Sequence, residues 1–353
     1  MRVQKWYRVP FSHSPRPREG KKGPGTIFAL LVAAGCASAP LRGASPGPQP
    51  LPADVAAYYD YPAWSDTTAP APFGSGGTIH VLSARQKWRE LLVRFPLAAS
   101  GFEPTEPVVE FEWFESTAPG RRAAILFNPI LGGHYPLERG VCRFLAAHGF
   151  HVALVRRKTL KLSPEHEVGR IELLLRQGVI RMRQVVDWMA AHERVDPARM
   201  GSFGISMGGI ASVLAAAVEP RLRAHVVALA GGPIPNILAN SPDRLLARPR
   251  QQYLTRNRMD LAMLEERLRQ AVRTDPILLA PYVDARHLLL FTAVFDRTIG
   301  RANARRLRRA LGEPRTVFLP FGHYSAYLAL PYLKYESLRF FRERLLTGSA
   351  DVL

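Results

Sequence analysis

From about residue 108 to 346 the chain switches repeatedly between two hydrophobic periods. Arg122-Ala-Ala-Ile-Leu-Phe-Asn128 is a continuous apolar run, as in a parallel strand buried on both faces, and Phe150-His-Val-Ala-Leu-Val155 and His225-Val-Val-Ala-Leu-Ala230 repeat the pattern. Val108-Val-Glu-Phe-Glu-Trp-Phe114 instead alternates apolar and polar residues, which predicts an edge strand. Further strands are expected at 199–207, 287–295 and 315–319. Helical spacing marks 136–148, 171–191, 207–218, 302–311 and 328–345, with a long helical insertion from about 233 to 285. Strands alternating with helices predict an α/β fold: a mostly parallel sheet with helices on both faces, joined by right-handed crossovers.

Ahead of this body the pattern breaks down. Residues 1–22 are basic and proline-rich, and Thr26-Ile-Phe-Ala-Leu-Leu-Val-Ala-Ala-Gly-Cys36 is an apolar run too short for a spanning helix but long enough for a signal-peptide core, so residues 1–35 are expected to be a signal peptide. Ala33-Ala34-Gly35-Cys36 resembles a bacterial lipobox, which implies lipidation of Cys36 and an exported protein anchored in the cell envelope, on the periplasmic side, and at the outer membrane in a Gram-negative cell. The alternative is an ordinary secretory signal cleaved near Ala37-Ser38-Ala39. Residues 36–77 are rich in Pro, Ala and Gly and read as a linker to a folded domain at 78–348, with Tyr58, Tyr59, Tyr61 and Trp64 placed to dock on that domain.

Charge adds little to this picture. The 353 residues carry a formal +19, of which the first 35 hold seven Lys/Arg against one Glu, leaving 41 against 28 for the remainder. No nucleic-acid-binding motif accompanies the arginines, and the densest run, Arg301 to Arg309, has the spacing of a solvated helix face, so no nucleic-acid partner is expected. Of the two cysteines, Cys142 sits among apolar helix positions and is expected to be a buried thiol. No His/Cys cluster, His-Glu-x-x-His or Gly-x-x-x-x-Gly-Lys occurs, so neither a metal nor a nucleotide cofactor is expected.

The chemistry centres on Gly204-Ile205-Ser206-Met207-Gly208, a Gly-x-Ser-x-Gly pattern placed where a strand gives way to an alanine-rich helix. A strand that reverses sharply into a helix needs residues without a Cβ two before and two after the turn, and it lifts the serine hydroxyl to the positive end of the helix. A serine hydroxyl also needs a base, and that base an orienting acid. In an open parallel sheet such groups gather at the carboxyl ends of strands. This rule selects Asp296, at the end of Leu288-Leu-Leu-Phe-Thr-Ala-Val-Phe295, over Asp284 and Asp196, and selects His323, after Arg315-Thr-Val-Phe-Leu-Pro-Phe-Gly322, over the other nine histidines.

The order Ser206, Asp296, His323 resembles that of the α/β-hydrolase superfamily over most of Val108 to Leu346. The resemblance implies a serine hydrolase that cleaves a carboxylic ester or related acyl bond, with the insertion as lid helices. It also implies an oxyanion hole made by the backbone N–H of Met207 and of Leu131 in Asn128-Pro-Ile-Leu-Gly-Gly-His134, with Ile130 as the alternative donor because Pro129-Ile130 replaces the usual His-Gly. A noncatalytic ligand-binding lipoprotein on the same fold and a peptidase are the competing readings. Arg244, Arg248 and Arg256 of the insertion could meet an acidic substrate group.

Overall fold

A computed structural model describes residues 37–39, 47–62, 77–98, 101–132, 135–157, 162–163 and 165–346. Among them are strands β1 (Ala37–Ala39), β2 (Thr78–Ala84), β3 (Trp88–Pro96), β4 (Val108–Ser116), β5 (Arg122–Asn128), β6 (His151–Arg156), β7 (Val195–Ile205), β8 (Leu222–Ala228), β9 (Leu288–Ala293) and β10 (Arg315–Leu319). They form one sheet in the order β1-β10-β9-β8-β7-β5-β6-β4-β3-β2, parallel from β10 to β6 and antiparallel at both margins. Besides a single turn at Pro276–Leu279, the helices are α1 (Ala53–Tyr58), α2 (Pro136–Ala147), α3 (Gly169–Ala191), α4 (Met207–Val218), then α5 (Ile234–Asn240), α6 (Arg244–Asn257) and α7 (Leu261–Ala271) in the insertion, and finally α8 (Arg301–Ala310) and α9 (Leu330–Leu345).

Side chains alternate across the sheet and so feed two cores. In β5, Ala124 and Leu126 join Val179, Val186 and Val213 of α3 and α4, whereas Ile125 and Phe127 join Val141 of α2 and Phe341 of α9. Both faces of the central strands are therefore covered, as their continuous apolar runs require.

The edge-strand expectation for 108–114 is corrected. β4 lies inside the sheet between β3 and β6, and β2 and β3 extend the sheet beyond it. Of its carboxylates, Glu110 is partly exposed, but Glu112 and Glu115 do not face water. Glu112 is 1% exposed and accepts two hydrogen bonds from the Arg139 guanidinium at 2.6 and 2.5 Å, and Glu115, equally buried, is held by Arg89 and by Arg194 at 3.3 Å. A buried carboxylate so paired produces the same period-two pattern as a solvated one.

Part of the segment read as a linker lies against the body. β1 adds antiparallel to β10, and Gln49 N–H donates to the Pro281 carbonyl at 2.9 Å. The tyrosines dock on α3 and its neighbours: Tyr58 donates to Glu172 at 2.8 Å, Tyr59 to Thr274 at 3.1 Å and Tyr61 to Asp187 at 2.6 Å. Trp64 lies outside the described residues, as do the apolar run at 26–36 and Cys36. Cys142 is buried in α2, where burial pushes its thiol far up.

Two histidines are locked into the interior as neutral rings. His151 Nδ1 accepts from Ser116 N–H at 3.1 Å while Nε2 faces the Arg194 carbonyl at 3.0 Å, and His225 Nδ1 lies 2.8 Å from Ser202 Oγ. Burial pushes His151 down to about 4 and His225 down to about 3. In the unfolded chain both take up a proton near pH ~6.5. The folded state is thus fully favoured above that pH and loses ground as the pH falls toward 4, by about 1.4 kcal/mol per pH unit for each ring. The denaturant midpoint is expected to drop between pH 7 and pH 5, with a shallower slope in His225→Asn. A midpoint indifferent to pH, or a slope unchanged by the substitution, would contradict this.

Candidate active site

β7 ends at Ile205 and α4 begins at Met207, so Ser206 alone makes the turn, with φ 57° and ψ −120°. That is strained backbone for a residue with a Cβ, and the surroundings hold it there. Ser206 N–H donates to the Ala228 carbonyl of β8 at 2.8 Å, and Ile210 N–H returns to the Ser206 carbonyl at 3.1 Å. The glycines on either side permit the approach. A Cβ on Gly204 would stand 1.9 Å from the Gly208 carbonyl oxygen, and one on Gly208 would stand 2.0 Å from that of Asn128. Three backbones, the ends of β7 and β5 and the start of α4, thus converge where only hydrogen fits.

His323 and Asp296 follow β10 and β9 at the same edge of the sheet. Their loops are knit by backbone hydrogen bonds from Val294 N–H to the Leu319 carbonyl and from Phe295 N–H to the Phe321 carbonyl, both at 2.9 Å. Ser206 Oγ lies 3.0 Å from His323 Nε2, and His323 Nδ1 lies 2.7 Å from Asp296 Oδ2. The other Asp296 oxygen accepts from Ile299 N–H at 2.9 Å, and the residue is 2% exposed. The carboxylate is therefore fixed from two sides, and the ring keeps its proton on Nδ1 and a lone pair toward the serine. The structure brings together all three residues chosen from the sequence. Asp196 and Asp284 stand apart from them, in ion pairs with Arg199 at 3.0 Å and Arg286 at 2.7 Å.

The loop after β5 is pinned from both sides. Ile130 N–H donates to Glu138 Oε1 at 3.0 Å, while Arg157 Nη2 donates to the Pro129 and Ile130 carbonyls at 3.2 Å each. The Ile130 amide is spent, which leaves Leu131 of the two amides considered. The Met207 amide stands in the first turn of α4, where no helical carbonyl can accept from it. Leu131 and Met207 line the same cavity as Ser206 and His323. His134 lies outside the described residues.

Glu138 and Arg157 were not singled out from the sequence. Glu138 is fully buried, burial raises its carboxyl above the ordinary range, and its Oε2 has no hydrogen-bond partner among the described residues. Burial likewise lowers the Arg157 guanidinium. The available signal was a glutamate on the first turn of a helix, at a position on its apolar face, and an arginine directly after a buried strand.

Above the serine is a cavity of about 490 Å³ whose roof is the insertion, through Ile234, Ile237, Leu238, Leu245 and Leu246. Asp243 ties that roof to the loops that carry Asp296 and His323. Its carboxylate caps α6 through Leu245 N–H at 2.9 Å, accepts from Thr298 Oγ1 at 3.3 Å, and accepts from the Tyr324 hydroxyl. Thr298 and Tyr324 are near neighbours in sequence of Asp296 and His323. Arg244, Arg248 and Arg256 are exposed on α6, and none lines the cavity. Among the described residues, no group of three His, Cys, Asp or Glu side chains is placed to hold a metal ion.

No family model matches the sequence, and no curated protein matches it. Solved structures do. The acetyl xylan esterase of Paenibacillus sp. R4 superimposes with a TM-score of 0.60 at 13% identity, over 84% of this chain and 100% of that one. Acetyl xylan esterase 1 of Thermoanaerobacterium sp. JW/SL YS485 gives 0.53 at 15% identity, over 82% and 95%. This is the α/β-hydrolase fold. The Pyrococcus horikoshii acylaminoacyl peptidase shares it too, with a TM-score of 0.53 at 14% identity over 76% of this chain and 43% of the peptidase. At such identities the likeness is one of fold, and what the site does rests on its own residues.

Proposed function

We propose that the protein is a serine hydrolase that cleaves a carboxylic ester. The observation that carries this is the relay from Ser206 Oγ to His323 Nε2 at 3.0 Å and from His323 Nδ1 to Asp296 at 2.7 Å, at the floor of an apolar cavity. In the first half-reaction Ser206 Oγ bonds to the carbonyl carbon as its proton passes to His323 Nε2, and Asp296 stabilises the imidazolium. The carbonyl oxygen takes up the negative charge between the amides of Met207 and Leu131. Collapse breaks the carbon–alkoxy bond, and the alcohol leaves with the proton from His323. Water then attacks the acyl-serine with His323 again as base, which releases the acid and restores the serine.

Two of the fold neighbours are named as acetyl xylan esterases, which supports an ester as the substrate class. The test is turnover of short nitrophenyl esters together with labelling by a fluorophosphonate. Tight binding of such esters with neither turnover nor labelling would instead identify a binding protein.

Glu138 is expected to act by positioning the oxyanion loop. Glu138→Ala frees the Ile130 amide and uncouples the loop from α2, so kcat is expected to fall by about 10²-fold while KM changes little, the cost of misplacing one oxyanion donor. Glu138→Gln keeps an acceptor for Ile130 N–H and should recover most of the loss. Equal kcat in all three proteins would remove Glu138 from this role.

A further inference from the structure

We infer that the enclosed end of the cavity is a pocket for a neutral straight-chain acyl group, so that the preferred ester carries a medium-length aliphatic acid; this rests on the ester-hydrolase reading of Ser206. The leaving oxygen must sit at His323, and the side chains that follow it, Tyr324 and Tyr327, are 67% and 61% exposed. The alcohol therefore departs through the open mouth. Away from the mouth the lining has a buried aliphatic part: Ile210, Ile234, Ile237, Leu238 and Leu333 are each under 9% exposed and yet face the empty space. Such walls offer an acyl chain dispersion contacts and the release of its hydration, and offer a sugar ring or a peptide no hydrogen bond.

The size sets the length. A cavity of about 490 Å³ lies within the roughly 300–1,000 Å³ of pockets that enclose a drug-sized ligand, so with the ester oxygens and leaving group at the mouth there is room for an acyl chain of medium length, on the order of ten carbons. The charge sets the chemistry. Asp243, held by Tyr324, Thr298 and Leu245, places a carboxylate in the lining, which repels an acyl chain that ends in its own carboxylate.

The experiment is a series of nitrophenyl esters of straight-chain acids from two to sixteen carbons, plus the hemisuccinate, on the wild-type protein. The ratio kcat/KM is expected to rise up to about fourfold per methylene, the equivalent of ~0.8 kcal/mol for each buried CH₂, to level off near ten carbons, and to be at least tenfold lower for the hemisuccinate than for the butyrate. Ile237→Trp, which fills the roof, is expected to lower the ratio of octanoate to acetate turnover at least tenfold, mainly through KM. A series that is flat or falls from acetate onward, with Ser206 still labelled by fluorophosphonate, overturns the acyl pocket and leaves the hydrolase standing. Absence of both turnover and labelling across the series overturns the hydrolase reading itself, and the pocket with it.

Discussion

Ser206→Ala is expected to lower ester turnover by about 10⁴-fold or more and to abolish fluorophosphonate labelling, with the fold unchanged. The substitution removes one oxygen and nothing else. Ala and Ser pay the same backbone cost at φ 57°, and the Ser206 amide and carbonyl keep their bonds to Ala228 and Ile210. The His323–Asp296 pair also survives, because its 2.7 Å contact does not involve the serine. A large loss in a protein with unaltered circular dichroism therefore reports the hydroxyl alone. His323→Ala should cost about as much, and the double variant little more, since base and nucleophile act as one unit. An intact Ser206→Ala protein that still labels, or still turns over within tenfold of wild type, would place the chemistry elsewhere.

The parts of this site that were legible in the sequence are those with a local cause. The elbow announces itself because a strand-to-helix reversal demands glycine at fixed offsets, and Gly204 and Gly208 occupy the two positions where a Cβ would meet backbone at 2 Å or less. Asp296 and His323 were found because strands that run in parallel deliver their loops to one edge, so a sequence position could be converted to a place. What escaped depends on contacts that only the folded chain creates. Asp243 meets Tyr324 across 81 residues, and Glu138 meets Ile130 through a loop that departs from the family pattern. Antiparallel β2 was missed for a different reason: it is nearly all exposed, including Ile79, Val81 and Leu82, and so carries no burial period to read. The alternation in β4 misled because the buried Glu112 is neutralised by Arg139 of α2 rather than by water.

Gly204→Ala and Gly140→Ala should change stability in opposite directions, which tests whether the elbow is built on a steric requirement or merely tolerates glycine. At Gly204 the new methyl would stand 1.9 Å from the Gly208 carbonyl oxygen, 2.2 Å from its carbon and 2.7 Å from Ser212 Oγ. Two of these are backbone atoms that cannot rotate away, so relief requires α4 to move off β7, at a cost of about 3 kcal/mol or more. Gly140 lies exposed within α2, with nothing within 4 Å of an added Cβ. There alanine only restricts the unfolded chain and should gain about 0.5–1 kcal/mol. Thermal denaturation of the two variants beside wild type decides the matter, and a Gly204→Ala protein as stable as wild type would show that the elbow has slack. It would also separate stability from chemistry: α4 carries the Met207 amide, and Gly208 packs on the Asn128 carbonyl at the root of the opposite donor loop. A shift of about 1 Å there displaces Ser206 Oγ from His323 and both amides from the oxyanion, so any folded Gly204→Ala protein should have lost about 10²-fold in kcat.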